Sequence, residues 1–128
     1  MYAGTAEPGS LCRFANVADV SAASKWPDWK TAMCDDGRPG TAPVRSHAPN
    51  AWGFHDMSGN VSELVWDAYS EALSPSVDPV GATEQTRRVY RGGCWSHGAR
   101  SARVAHRTYI APTQKTGGLG LRLARALP

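Results

Sequence analysis

Alternation of apolar and polar side chains predicts four short strands in this chain. In the most regular segment, Leu64 and Trp66 share one parity while charged Glu63 and Asp67 fall on the other, as expected for a half-buried strand. Two consecutive glycines end the second predicted strand, because a glycine pair favours a turn. The four segments are 61–67, 87–91, 100–107 and 119–124.

The first fifty residues show no sustained period, and only one helix is predicted there. It covers 18–25, where Asp19 or Ser21 supplies an N-cap and the following Trp-Pro pair stops it. A short extended piece is expected at 41–44 and a polar loop at 74–85. Short strands separated by long irregular loops indicate a loop-rich α+β fold class with short antiparallel strands.

Length and composition are typical of one folded domain over residues 1–128. The 41% of hydrophobic and 20% of charged residues are ordinary for a globular protein, and 13 glycines with 9 prolines favour turns. No apolar run reaches the roughly 20 residues of a membrane span, and no basic-then-apolar leader opens the chain. We therefore predict no membrane partner and no signal peptide, and the localisation stays unknown. Trp52 and Trp66 are expected to pack in the core.

Charge is divided unevenly along the chain, although the net charge is only +3. All 11 acidic residues and five of the basic ones lie in 1–86, and the other nine basic residues lie in 87–128 without one acid. Such a basic segment can bind phosphate backbones, or the two parts can neutralise each other within one fold. The bases are interspersed with small residues and accompany no nucleic-acid motif. This pattern favours neutralisation, and a nucleic-acid partner is not expected.

Three cysteines are present, and they form neither a CxxC motif nor a zinc-type spacing with histidine. Cys12 and Cys34 both lie in polar, turn-rich stretches, where they form either a disulfide or two unpaired thiols. Cys94 follows two glycines, whose backbone freedom allows its side chain to turn inward. We predict that Cys94 is buried in a tight turn. The four histidines form no nucleophile-base pattern with serine or cysteine.

Several stretches resemble the formylglycine-generating enzyme family, the sulfatase-modifying factors. Residues 49–63 read PNAWGFHDMSGNVSE beside the family's PNxxGLxDMxGNVWEW, and 91–95 read RGGCW beside RGGSW. An RxxRxAxR run at 100–107, a closing GLRLA at 120–124, and upstream CRFANVAD and CDDG segments follow the family's order. The resemblance implies a C-type-lectin-like fold with long packed loops. Residues 2–5 resemble a motif midway along full-length members, which implies a truncated domain whose uncovered surface favours self-association.

The resemblance also implies oxidation of a client cysteine by copper held on two cysteines, since Cu(I) prefers sulfur ligands. Ala99 stands where the family has the second cysteine, and the stretch around Ser96 and His97, where the first belongs, contains none. Cys94 takes the place of the family's serine, and Ser62 takes that of a tryptophan. A copper cofactor and an oxidase activity of this chain alone are therefore not expected.

Two structural calcium sites are implied by the resemblance, because irregular loops supply the carboxylate, amide and carbonyl oxygens that calcium prefers. Read from the residues alone, Asp56 could instead cap a turn and Glu63 could pair with Arg100 or Arg103. Cys12 and Cys34 flank the first set, so their Cα atoms are expected within about 7 Å of each other. The first set is Asn16, Val17, Asp36 and Arg38, and the second is Asp56, Gly59, Val61 and Glu63.

Three functions are compatible with these observations. The first is a non-catalytic, lectin-like scaffold that binds a protein or small ligand through segment 95–118, the part that varies in the variable proteins of diversity-generating retroelements. The second is a formylglycine-generating oxidase whose site is completed by a missing half. The third is an anion or nucleic-acid binder that uses the basic C-terminal third. The ligand-binding residues predicted for the first function are Trp95, His97, Arg100, Tyr109 and Gln114.

Overall fold

A computed structural model describes residues 1–71 and 86–125 of the chain. Its described strands form one sheet in the order β3-β2-β1-β4, in which β1–β2 and β2–β3 are antiparallel and β1–β4 is parallel. Short elements and long loops confirm the loop-rich α+β fold class, with one parallel pair added. The elements are α1 (Val20–Ala23), β1 (Ser62–Ala68), β2 (Arg88–Arg91), β3 (Thr108–Ile110), β4 (Leu119–Gly120) and 3₁₀ turns at Pro8–Arg13 and Ala99–Ala102.

The predicted strands at 61–67 and 87–91 are confirmed by β1 and β2. The strand predicted at 100–107 is wrong: that segment contains the end of a 3₁₀ turn and further turns, and β3 begins only after it. The alternating arginines of this segment give it no apolar face that could pack against a core. The Arg103 guanidinium instead donates to the Arg100 carbonyl at 3.1 Å. Of the strand predicted at 119–124, two residues pair with β1.

The predicted helix is confirmed but is shorter than the sequence pattern indicates. Asp19 is its N-cap, and a carboxylate oxygen accepts from the Ala22 backbone at 3.1 Å. Ser21 supports the cap by donating its hydroxyl to the same carboxylate oxygen at 2.7 Å. The piece predicted as extended at 41–44 joins no strand of the described sheet, and the loop predicted at 74–85 lies outside the described residues.

The core is small and is built mainly from alanines and short aliphatic side chains. Leu11, Ala15 and Val17 are fully buried, and they surround a disulfide between Cys12 and Cys34. The two Cα atoms lie 5.8 Å apart, so the expected proximity of this pair is confirmed. The disulfide joins the 3₁₀ turn at the start of the chain to the loop after α1, where the described chain provides few other tertiary contacts between regular elements.

The prediction that Trp52 and Trp66 pack in the core is wrong, since they are 84% and 86% exposed. In β1 the pairing with β2 shifts register between Leu64 and Ala68. Ser62 and Ala68 are buried, while Leu64 and Trp66, which lie between them on the same parity, are exposed. Trp66 covers part of its surface against the Arg88 guanidinium, 5.9 Å from the ring centre.

Trp52 forms one wall of an exposed apolar groove with a volume of about 660 Å³. The other apolar walls include Met1, Phe54, Met57 and Val104. No helix within the described residues is long and apolar enough to cross a bilayer.

The glycine-asparagine turn before β1 holds several loops together. Gly59 has φ of +79°, and a Cβ there would overlap the carbonyl oxygen of Asn16. Asn60, also with positive φ, exchanges two side-chain hydrogen bonds with the backbone of Ala42, at 3.0 and 3.1 Å. Its carbonyl accepts from Trp95 N–H at 2.9 Å. The turn therefore sets the position of the loop that carries Cys94.

Replacing Cys12 with serine is expected to lower the free energy of unfolding by about 3 kcal/mol, because the bond closes a loop with a sequence separation of 22. Urea unfolding under non-reducing conditions measures this loss. The double variant Cys12→Ser/Cys34→Ser should lose the same amount as the single one, since either change opens the loop. An unchanged urea midpoint in Cys12→Ser would contradict the prediction.

Candidate functional site

The strands and the loop after β2 enclose a small pocket with a volume of about 170 Å³. Three of the five predicted ligand-binding residues lie in its lining: His97, Tyr109 and Gln114. Ser62 of β1 and Tyr90 of β2 also line it, and the sequence pattern did not single them out. The remaining lining residues are Cys94, Ser96, Ile110, Thr116, Gly118 and Leu119.

The other two predicted ligand-binding residues lie outside this pocket. The Trp95 ring packs against Trp26 and Trp29, at centroid distances of 5.4 and 5.8 Å, and its indole N–H donates to the Gly117 carbonyl at 3.2 Å. Arg100 is exposed on the 3₁₀ turn. Spacing alone could not reveal that Trp95 completes an aromatic cluster, because its partners are almost seventy residues away.

Glycines allow the backbone to bring Cys94 to the floor of the pocket. Gly92 and Gly93 have φ of +89° and +70°, and a Cβ on Gly93 would come within 2.8 Å of the Ser101 carbonyl oxygen. On the opposite wall a Cβ on Gly118 would lie 2.6 Å from the Cys94 sulfur. Cys94 is 2% exposed, so its predicted burial in a tight turn is confirmed.

Two polar side chains of the pocket wall interact with Cys94, and a third has no partner in the described chain. The Cys94 Sγ lies 3.3 Å from Ser96 Oγ. Burial raises the pKa of the Cys94 thiol, but hydrogen bonds from His97 and Ser96 outweigh it, and the pKa lies below its usual value. The hydrogen bond to Cys94 raises the pKa of His97. Ser62 Oγ is buried and has no hydrogen-bond partner among the described residues.

The first predicted metal set lies where two loops meet. The Asn16 amide N–H donates to the Gly40 carbonyl at 2.8 Å, while Asn16 Oδ1 is buried without a hydrogen-bond partner in the described chain. The Asp36 side chain is fully buried, and its Oδ2 likewise has no hydrogen-bond partner among those residues. Val17 contributes a backbone hydrogen bond to the same carboxyl group. Two buried oxygens without donors fit a hard cation, because burying unpartnered oxygens is otherwise costly.

The charged groups around Asp36 also favour a cation at this first predicted metal set. Burial raises the pKa of Asp36 to about 7, against the opposing effect of hydrogen bonding from the Arg38 amide. His47 Nε2 lies 3.9 Å from Asp36 Oδ2, but burial lowers the pKa of His47, so this imidazole is a weak counter-charge. The Arg38 side chain is exposed. An ionised Asp36 therefore lacks a buried positive partner in the described structure.

The second predicted metal set does not fit a cation in this arrangement. Arg122 Nε donates to both carboxylate oxygens of Glu63, at 2.8 and 2.9 Å. Its Nη2 also donates to the carbonyls of His55 and Asp56, at 3.1 Å each. The Asp56 carboxylate accepts from the Arg45 amide at 2.7 Å. A guanidinium thus already provides the positive charge between these oxygens.

Glu63 therefore pairs with Arg122, and neither Arg100 nor Arg103, the partners considered from the sequence, contacts its carboxylate in the described structure. The arrangement has a reason in the fold. Glu63 pairs in register with Gly120 of the parallel strand β4, which brings the segment carrying Arg122 beside it. Gly59 belongs to the turn before β1, and Val61 is the residue directly before this strand. The Val61 side chain lies against Gly120.

Other basic residues of the C-terminal third contact rings and carbonyls. The Arg87 guanidinium lies 4.5 Å from the Tyr109 ring centre, and that of Arg107 lies 5.6 Å from Tyr69. Arg91 donates to the Val104 carbonyl at 3.2 Å. Cation–π contacts and hydrogen bonds to carbonyl groups therefore stabilise these arginines. The Glu63–Arg122 ion pair joins the acidic part of the chain to the basic part.

The three cysteines of this chain are divided between one disulfide and one free thiol. Of its three cysteines, Cys12 and Cys34 are bonded to each other, which leaves Cys94 as the free thiol. Ala99, where the resemblance places the second copper cysteine, has no side chain that could bind metal.

Comparisons with known proteins identify the same architecture. The sulfatase-modifying factor enzyme 1-like domain matches residues 7–127. The formylglycine-generating enzyme of Streptomyces coelicolor is 40% identical over 106 residues, which cover 78% of this chain and 33% of the relative. Among solved structures, Treponema denticola variable protein 1 superposes with a TM-score of 0.73 at 26% identity, over 92% of this chain and 38% of that one.

PvdO from Pseudomonas aeruginosa superposes with a TM-score of 0.68 at 28% identity, over 86% of this chain and 38% of that one. These neighbours confirm the fold inferred from the motifs, formylglycine-generating-enzyme-like and C-type-lectin-like. The chain spans about a third of the length of the curated relatives it matches.

Changing Glu63 to glutamine is expected to lower the free energy of unfolding by about 1 kcal/mol, because a bidentate pair with Arg122 is lost. Thermal unfolding of the single and double variants measures it. In an Arg122→Ala background the same change should cost little, and the exposed Glu71→Gln should cost little in either background. An equal loss with and without Arg122 would show that Glu63 stabilises the fold through some other partner.

Proposed function

The chain belongs to the sulfatase-modifying factor enzyme 1-like family, and we propose that it is a non-catalytic, lectin-like scaffold that binds a ligand through segment 95–118. The observation that carries the proposal is the pocket beside Cys94. Its lining includes His97, Tyr109 and Gln114 from that segment, and its walls carry hydroxyl, amide and imidazole groups. Convergent polar groups in a concave site are the usual means of orienting a small ligand.

The composition of the pocket limits the ligand to a small, polar molecule or side chain. A volume of about 170 Å³ is below the roughly 300 Å³ at which pockets for drug-sized ligands begin. The described part of its lining contains no carboxylate, so cationic ligands gain no direct ion pair there. The unpartnered Ser62 hydroxyl is available to donate or accept a hydrogen bond. Amino acids and monosaccharides have the matching size and chemistry.

A formylglycine-generating oxidase is the second candidate. It is favoured by the 40% identity with the Streptomyces coelicolor enzyme, and disfavoured by the cysteine content of this chain. The chain spans about a third of the length of the Streptomyces coelicolor enzyme. An oxidase activity therefore requires metal ligands from outside these 128 residues. Ligand binding is therefore the first proposed function and cysteine oxidation the second.

We further propose that a structural calcium ion is held by the first predicted set, with side-chain oxygens from Asn16 and Asp36 and carbonyls from Val17 and Arg38. The buried, unpartnered oxygens of Asn16 and Asp36 support this assignment. The ion would supply positive charge between two loops that the Cys12–Cys34 disulfide already links. It would act on stability and on loop geometry, and no chemical step depends on it.

Calcium is expected to raise the melting temperature, because a ligand that binds only the folded state stabilises it by about 2.7 kcal/mol at 100 times its Kd. A chelator should reverse the shift. Asp36→Asn should remove most of the shift while keeping the shape of the side chain and avoiding a buried charge. The matched control is Asp35→Asn at the exposed neighbour, which should keep the full shift. A shift that survives Asp36→Asn but disappears in Glu63→Gln would place the ion at the second set instead.

The binding function is tested by titrating the chain with single amino acids and monosaccharides while its backbone amide resonances are followed by NMR. We expect shifts confined to the pocket-lining stretches around 62, 90, 94–97 and 109–119, and Gln114→Ala should weaken binding about fivefold, the value of one hydrogen bond of about 1 kcal/mol. Arg100→Ala, outside the pocket, should leave the affinity within about twofold. Shifts that map elsewhere, or an equal loss in Arg100→Ala, would contradict the proposal.

The oxidase alternative has its own measurement. Oxygen uptake is recorded with the chain, Cu(I) and a cysteine-containing peptide, and we expect none above a protein-free control, because one free thiol does not supply a two-cysteine copper site. Copper-dependent uptake that disappears in Cys94→Ser would favour the oxidase and count against the non-catalytic scaffold.

A further inference from the structure

Cys94 and its neighbours form a group of side chains that ligand binding alone does not explain. The sulfur lies at the pocket wall with Ser96 Oγ at 3.3 Å, and the His97 ring lines the same pocket. A cysteine that only fills space in a core needs no such polar neighbours. Here the thiol borders a cavity with an imidazole and a hydroxyl on its walls.

A second, independent feature of the pocket points to a ligand close to this sulfur. Ser62 is 1% exposed and lines the same cavity, and its hydroxyl has no hydrogen-bond partner among the described residues. Leaving a buried hydroxyl without a partner is destabilising, because the group loses its hydrogen bonds to water and gains none in return. A ligand with a polar group near Ser62 would remove that cost, and it would sit in the cavity that Cys94 borders.

We propose that Cys94 is a site of S-thiolation, which forms a mixed disulfide with a small, neutral disulfide that enters this pocket. Among the described residues that line the pocket there is no carboxylate, and His97 is the one basic residue, so a neutral compound bearing hydroxyl or amide groups fits it best. Tyr90 and Tyr109 provide further hydroxyl groups on the walls. The proposal concerns a modification of this chain and does not depend on the ligand-binding function above.

The reaction is a thiol-disulfide exchange and needs no further reagent. The Cys94 thiolate attacks one sulfur of the disulfide; a new S–S bond forms to Cys94 and the S–S bond of the small molecule breaks. Two electrons pass from the Cys94 sulfur to the departing thiolate, so the small disulfide is the oxidant. The departing thiolate takes the proton from the His97 imidazolium and leaves as a thiol.

His97 acts here as a positioning and proton-donating group. Its hydrogen bond favours the thiolate form of Cys94, and the thiolate in turn favours the imidazolium form of His97, as the opposite shifts of the two pKa values indicate. His106 does not line the pocket, and burial lowers its pKa, so it is largely neutral. His106 therefore offers a matched control for the imidazole-to-amide change.

The experiment uses the full chain and 2-hydroxyethyl disulfide, with intact mass measured under non-reducing conditions. We expect one mercaptoethanol adduct, and its formation should be about five- to tenfold faster in the folded protein than in urea, where Cys94 has an ordinary thiol pKa. The Cys12–Cys34 bond stays closed in both states, so Cys94 is the only free thiol compared. A folded rate equal to or slower than the unfolded rate would show that Cys94 is an inert packing residue and overturn the proposal.

Variants separate activation of the thiol from recognition of the disulfide. His97→Gln should slow adduct formation at least fivefold, whereas His106→Gln should stay within about twofold. Ser62→Ala should slow the reaction with 2-hydroxyethyl disulfide but leave the rate with iodoacetamide unchanged, because alkylation does not need the hydroxyl contact. An unchanged rate in His97→Gln, or an adduct that persists in Cys94→Ser, would overturn the proposal. Circular dichroism of each variant verifies that it is folded.

Discussion

The close approach of the Gly59–Asn60 turn to the backbone of Asn16 is the constraint on which the loops depend. A side chain at Gly59 would overlap the Asn16 carbonyl, and the Asn60 amide N–H donates to that carbonyl at 2.7 Å. With so few strands, most backbone polar groups must find partners in other loops. The turn meets this need by linking the chain near residue 16, the Ala42 backbone and the loop that carries Trp95.

The pocket is a consequence of that network. Gly59 N–H donates to the Gly92 carbonyl at 2.8 Å, and Ser62 N–H donates to the Gly118 carbonyl at 2.7 Å. These two bonds hold the loop before Cys94 and the loop before β4 on either side of β1. Cys94 and Gly118 then lie directly against each other beside the cavity, and the small Ser62 side chain lines the same space. The chemistry proposed for Cys94 therefore depends on backbone contacts as much as on its own neighbours.

Stability in this chain comes from links between loops more than from an extended apolar core. The most buried residues include Asn16, Asp19 and Ser58 as well as Leu11 and Val17. Asp19 caps α1 and also accepts from the Asp36 amide, so a charged residue replaces the apolar contacts that a larger core would provide. The Cys12–Cys34 disulfide links the loops of this same region.

Local pattern was sufficient for the elements that short-range rules control. The alternation in 61–67 and 87–91 predicted β1 and β2, Asp19 was a recognisable N-cap, and the motif order indicated a formylglycine-generating-enzyme-like fold. Three of the five proposed ligand residues also lie together in the pocket. The tertiary structure decided the rest, because it depends on partners distant in the chain. Trp66 faces outward although it shares its parity with the buried Ser62 and Ala68, Trp26 and Trp29 drew Trp95 into an aromatic cluster, and the parallel pairing of β4 brought Arg122 to Glu63. No periodicity within a single segment contains that information, since each outcome is set by which loops meet in space.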